Sequence, residues 1–321
     1  MKLPQYPFPI THSPIPITQY PLPITCMKVE RKPQQENYKE EVVISQSQGS
    51  ESLGQISSCD SSVISSSSLS FNWRVVSASV IGTSHEKRSQ PCQDAHFYQV
   101  LPNGVLVAAV ADGAGSALLA DVGAQIAVKT VVNSLAQRDT IPPCDDEVGW
   151  KAFLFDILKE SRSAVESEAL RREMSAREFA CTLIFVVATS ELVAAIQVGD
   201  GAAVLGDSQG NIIGLTTPPM GEYINETVFL VSDGALETAQ FSLWKGKPAH
   251  LALFSDGLQL LALKMPSGSP HSPFFSPLFR FMDAIVDEKE AEEQLVSFLR
   301  SPRVTERTDD DLTLLLASYS S

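Results

Sequence analysis

The sequence predicts an α+β domain of mixed or antiparallel sheets with helices packed outside, preceded by a tail that lacks the makings of a core. Three observations lead there. Apolar runs of strand length, rich in Val, Ile, Phe and Thr, recur through the last three quarters of the chain. They are ordered as strands, two helices, a long series of strands, more helices and a final strand, which is not the regular alternation of a doubly wound parallel sheet. Composition also changes near residue 70, from Pro- and Ser-rich to apolar and periodic.

Residues 1–70 read as a disordered tail. Seven prolines fall in the first 25 residues, in the Pro-x-Pro pattern of QYPFPITHSPIPITQYPLPIT, which favours extended backbone without a core. Serine dominates from Val43 to Ser70, ending in SSVISSSSLS, with no apolar periodicity to offset the entropy of ordering. A docking or phosphorylation segment and a passive tail are both open readings. Residues 71–321 remain, about 250, enough for a sizeable single core.

Within that domain the strand candidates are FNWRVVSASVIG, HFYQVLP, GVLVAAVAD, FACTLIFVVAT, LVAAIQVGD, AAVLGD, NETVFLVS, HLALFSD and LTLLLAS. Helices are expected in SALLADVGAQIAVKTVVNSLAQ and EVGWKAFLFDILKESRSAVESEALRREM, where apolar residues recur at three and four. Two more follow Asp256: GLQLLALK, and FSPLFRFMDAIVDEKEAEEQLVSFLR, broken near Asp287.

Net charge and cysteine content narrow the function. A formal charge of −14 argues against a nucleic-acid surface, which needs clustered Lys and Arg. Five cysteines, with no Cys-x-x-Cys pair, suggest neither a disulfide framework nor a zinc finger, and fit a reducing compartment. Prolines at 4, 7 and 9 interrupt any signal-peptide stretch, and no apolar run approaches the roughly 18 residues of a membrane span. The expectation is a cytoplasmic protein.

The chemistry lies at the ends of the strand candidates. Asp112 follows VLVAAVA, Asp200 follows AAIQVG and Asp256 follows HLALFS, while Asp94 and Asp310 stand in QDA and TDDDLT. Asp-Gly after a strand is ordinary turn chemistry for any one of these motifs. Taken jointly, acids where buried strands meet loops lose hydration and repel one another unless a cation neutralises them. Hard divalent cations such as Mg2+ or Mn2+ suit an all-oxygen site.

GTSHEKRSQPCQDA, AVADGAGS, FACTLIF, QVGDGA, LALFSDGL and DDDLTLLL, in that order, resemble the metal-dependent serine/threonine phosphatases of the type 2C class. The likeness is greatest to their bacterial branch, where a segment like GEYINETVFL (221–230) recurs, and it covers about residues 73–318. It implies a four-layer α-β-β-α sandwich of two antiparallel sheets flanked by helices, around two Mg2+ or Mn2+ ions. It assigns Asp112 as the bridging ligand, Gly113 as a carbonyl donor, Asp256 and Asp310 as completing ligands, and Asp94 as an outer or water-mediated ligand. Asp200 falls where the family often holds part of a third, weaker metal. Two cations there lower the pKa of a water and offset charge on the phosphate, without a phosphoenzyme. A phosphate-gripping arginine is expected; Arg88 is the candidate, with His85 the second. Phosphoproteins are the implied substrates and a serine/threonine kinase the implied pathway partner; nothing in the sequence fixes the oligomeric state.

Three positions depart from the family pattern. Ala114 stands where some relatives carry a histidine proposed as general acid, so the leaving group must take its proton from water or another group. Leu260 stands where many carry a further acid, which argues against a tight third ion. Gln93 replaces a common glutamate. Two look-alikes are set aside: Asp233 in VSDGAL as a turn residue, and Asp309-x-Asp311-Leu312-Thr313 because only eight residues follow it. No G-x-S-x-G elbow is present, and Cys92 reads as a small buried residue rather than a nucleophile. The rival function is a phosphoprotein-binding pseudophosphatase on the same fold; four mutually repelling ligands favour catalysis over it.

Overall fold

Each long apolar run is a strand with both faces covered, and this builds two sheets from one sequence pattern. The computed structural model describes residues 72–218 and 227–320. The tail expected over residues 1–70, and residues 221–226 of the GEYINETVFL segment, lie outside the described residues.

The chain runs β1 (Asn72–Val80), α1 (Thr83–Arg88), β2 (Ala95–Val100), β3 (Leu106–Ala111), α2 (Ala120–Ala136), α3 (Glu147–Arg171), β4 (Leu183–Ala188), β5 (Leu192–Val198), β6 (Ala202–Asp207) and β7 (Ile212–Thr216). It continues through α4 (Ala235–Thr238), β8 (Gln240–Lys245), β9 (Pro248–Phe254), α5 (Gln259–Ala262), β10 (Leu263–Lys264), β11 (Ser269–Pro270), α6 (Ser272–Ala284), α7 (Glu288–Leu299), α8 (Pro302–Thr305) and β12 (Leu312–Ser320). One five-stranded sheet has the order β1-β12-β9-β6-β7 and the other β2-β3-β4-β5-β8. All their pairings are antiparallel.

Alternation along the strands divides the core into three layers. Leu106, Ala108, Val110, Ile184, Val186, Val193 and Ala195 face Leu251, Leu253, Leu315 and Ala317 between the sheets. Their neighbours Val107, Ala109, Leu183, Phe185 and Val187 turn outward onto α2 and α3, through Val128, Val131, Leu154 and Ile157. On the opposite side Ala252, Phe254, Leu314 and Leu316 meet Phe275, Leu278 and Phe279 of α6 and Leu295 and Leu299 of α7. Continuous apolar runs are required because each strand feeds two of these layers.

The break foreseen at Asp287 separates α6 from α7, and its carboxylate accepts from the N–H groups of Lys289 (2.9 Å) and Glu290 (3.2 Å). Such a cap contributes about 1 kcal/mol. NETVFLVS is not a strand over its described part. Leu230 is drawn inward by its N–H bond to the Cys181 carbonyl (2.7 Å), and the chain turns through Ser232 into α4. The edge strands β7 and β8, with half-exposed faces, escaped the apolar-run criterion. GLQLLALK forms a single short helix before β10. Among the described residues no helix is long and apolar enough to cross a membrane.

Candidate metal centre

Strand register collects the acids at one end of the two sheets. Ala95 pairs with Ala111, which sets Asp94 and Asp112 side by side just beyond the ends of β2 and β3. Ala202 and Leu314 both pair with Phe254, so the turn carrying Asp200 and the segment before β12 converge on the Asp256 loop. Carboxylate oxygens of Asp112, Asp200 and Asp256 lie within 4.8 Å of one another. Asp310 is exposed and lies outside that trio, and Asp94 is buried.

Backbone contacts fix the ligand segments. Asp112 N–H donates to Thr182 Oγ1 (3.0 Å), and Thr182 N–H returns to the Asp112 carbonyl (2.7 Å). Gly113 forms an isolated bridge with Cys181, and a Cβ there would sit 2.7 Å from the Gln93 carbonyl oxygen. At Gly257 a Cβ would come within 2.2 Å of the Asp311 carbonyl oxygen, so only glycine lets the Asp256 loop close on the β12 approach. Asp94 Oδ2 accepts from Ser255 Oγ (2.7 Å), and Ser255 Oγ in turn accepts from Thr313 N–H (2.9 Å).

Among the described residues, Asp94 Oδ1, Asp200 Oδ1 and Asp256 Oδ1 are buried oxygens with no hydrogen-bond donor. Buried carboxylate oxygens without hydrogen bonds are costly unless a cation satisfies them. This donor set, all oxygen and multiply anionic, fits a hard divalent ion.

The acidities agree. Burial, then repulsion from Asp94, Asp256 and Asp310, raises Asp112 well above the carboxylate range. Burial pushes Asp94 up to about 7 and Asp256 to about 6, and raises Asp310 as well. Without a cation the folded state therefore keeps protons that the unfolded chain releases between about pH 4 and 7. Metal-free stability should fall as pH rises through that window, by on the order of a few kcal/mol. Metal affinity should run the opposite way, because binding expels those protons. Thermal melts in chelator and in Mn2+ at pH 5 and pH 7.5 check both signs: the Mn2+-induced rise in melting temperature should be larger at pH 7.5.

The two phosphate candidates differ in placement. Arg88 is exposed in the last turn of α1, its Nε donating to the Ser84 carbonyl (3.1 Å). His85 is buried, its Nδ1 2.9 Å from Asp311 Oδ2. Asp311, set aside as part of a look-alike motif, is the main residue that sequence reasoning missed. It is buried and accepts from the backbone N–H groups of Gly82 and Gln93, both at 2.6 Å. Ser255, Thr182, Thr227 and Gln259 were also missed; standing next to or opposite acids was their only signal.

The family model for protein phosphatase 2C matches residues 81–300. The chain belongs to the protein phosphatase 2C family. It is 36% identical over 260 residues to serine/threonine-protein phosphatase 3 of Escherichia coli (strain K12), an alignment covering 78% of this chain and 99% of that protein. Solved structures agree on the fold. A bacterial serine phosphatase superposes with a TM-score of 0.55 at 14% identity, over 78% of this chain and 99% of its own. A serine/threonine phosphatase of Staphylococcus aureus gives 0.54 at 14%, over 77% and 95%. The four-layer architecture implied by the sequence is thus the family's, and so is its metal dependence.

Positions that depart from the family pattern are now placed. Ala114 is buried, Leu260 is 70% exposed, and Gln93 is buried with Oε1 unpartnered. Cys92 has its thiol pushed well up by burial and by Asp94, which disfavours a nucleophilic thiolate. Asp233 is exposed in the turn before α4. Asp233→Ala should leave turnover within about twofold of the parent, as for an ordinary surface substitution; an inactive variant would move the metal centre to the wrong S-D-G copy.

Proposed function

We propose that this chain hydrolyses phosphoserine and phosphothreonine on proteins at a centre holding Mg2+ or Mn2+, opposing a serine/threonine kinase in the same pathway. The observation that carries the reading is the convergence of Asp112, Asp200 and Asp256 with buried oxygens that lack donors. Asp112, Asp256, Asp310 and the Gly113 carbonyl would hold two ions, with Asp94 beside them; Asp200, whose carboxylate comes within 4.8 Å of those of Asp112 and Asp256, would share one of these ions while also facing a third, weaker position that lacks an acid at Leu260. Bound there, the ions supply Lewis acidity that lowers the pKa of water and offsets phosphate charge.

The protein's own groups do the rest. Ser255 fixes the Asp94 carboxylate and Thr182 the Asp112 backbone, so charge is preorganised where the phosphate docks. Among the described residues Arg88 is exposed and its Nε donates to the Ser84 carbonyl, an arrangement from which the guanidinium can turn to a phosphate. The burial of His85 against Asp311 favours a supporting part over direct phosphate contact. Water attacks phosphorus, the bond to the serine or threonine oxygen breaks, and that oxygen takes a proton from solvent.

Turnover of p-nitrophenyl phosphate and of a phosphothreonine peptide by the full chain tests this. Activity with Mn2+, abolished by chelator, is expected; folded, metal-loaded protein without turnover would favour a phosphoprotein-binding role.

A further inference from the structure

Asp200 is the member of the trio least supported by regular structure. It sits alone between Gly199 and Gly201 in the turn joining β5 to β6, and its Oδ1 has no donor. Two side chains from distant segments converge on it. Thr227 Oγ1 donates to Asp200 Oδ2 at 2.7 Å, and Gln259 Nε2 donates to the Asp200 carbonyl oxygen. Both donors are tied to the other ligand segments. Gln259 lies three residues past Asp256, at the start of α5, so its bond sets the spacing between the Asp200 and Asp256 loops. Thr227 leads to Leu230, whose N–H bonds the Cys181 carbonyl; Cys181 bridges Gly113 and is followed by Thr182, which holds Asp112.

We propose that Thr227 and Gln259 are positioning residues for the metal centre: Thr227 occupies one oxygen of Asp200 so that the other faces the ion, and Gln259 holds the Asp200 backbone to the Asp256 loop. The inference rests on reading the acid trio as a metal centre. Its physical basis is that hydrogen bonds from surrounding side chains orient a ligand carboxylate and so set metal affinity.

Calorimetric titration of the full chain with Mn2+, beside thermal melts in chelator, tests the proposal without relying on turnover. Thr227→Val should bind Mn2+ about 10- to 100-fold more weakly, with an unchanged melting temperature in chelator. Thr227→Ser, which keeps the hydroxyl, should recover most of the affinity. Gln259→Met should also weaken binding, and it keeps the test alive if Thr227→Val fails to fold. Parental affinity in both Thr227→Val and Gln259→Met would overturn the inference alone. So would an equal loss in the Val and Ser variants accompanied by a lower melting temperature in chelator, which marks a merely structural role. A parent that binds no Mn2+ would overturn both this inference and the metal-centre reading beneath it.

Discussion

Replacing Asp112 by asparagine is expected to remove Mn2+-dependent turnover and, in the same protein, to raise the melting temperature measured in chelator. The two effects have one origin. Asp112 is half-buried, and desolvation together with repulsion from Asp94, Asp256 and Asp310 holds its carboxyl well above the usual range. Asparagine keeps the shape and the backbone bonds to Thr182 but carries no charge. It therefore relieves the metal-free fold and removes the carboxylate proposed as the central metal ligand. Loss of activity should reach at least roughly a thousandfold, about 4 kcal/mol of transition-state stabilisation. The Mn2+-induced rise in melting temperature should shrink with it. A variant that stays active, or one that melts lower than the parent in chelator, would contradict the assignment of Asp112.

The largest effect on stability is expected at Asp311. Its two oxygens accept from Gly82 N–H and Gln93 N–H, and His85 Nδ1 stands 2.9 Å away. Asp311→Ala leaves the buried Gly82 and Gln93 N–H donors without their acceptor, at about 1–3 kcal/mol for each. The expected outcome is destabilisation of about 4 kcal/mol, a fall of about 10 °C in melting temperature for a domain of this size. Activity should fall too, because Gln93 immediately precedes Asp94 and Gly82 leads into α1. Asp311→Asn should recover part of the loss, since one side-chain oxygen still accepts while the amide faces a donor. Urea unfolding of the three proteins provides the measurement; an Ala variant as stable as the parent would show that the Asp311 bonds do not hold this corner together.

The contrast between these two aspartates shows how far the sequence reaches. Asp112 is legible because it ends a run, VLVAAVA, whose apolar character on both faces marks a strand between two packed layers. The same logic finds Asp200 after β5 and Asp256 after β9. Asp311 carries no such mark: it stands in a row of three acids beside Asp310, and its partners are 229 and 218 residues away in the chain. Ser255 and Thr313 are similarly silent, since their roles depend on β9 and β12 pairing in one register.

Local patterns also misled where tertiary contacts outweighed them. NETVFLVS has the composition of a strand, yet its described part is a loop, since Leu230 contributes more by bonding Cys181 and filling the core over α3 than by extending a sheet edge. QFSLWK, mixed in polarity, became β8 because an edge strand needs only one partner, here β5.

By itself the sequence determined the strand-rich domain, the helices of both outer layers, and the acids that close its strands, because burial on both faces and helical periodicity are written locally in residue order. Only the tertiary structure decided which of those acids share a centre, that Asp310 lies outside the close trio, and which neutral side chains hold them. Those relations depend on register between strands far apart in the chain, and hydrogen bonds formed across that distance leave no periodic trace in the sequence.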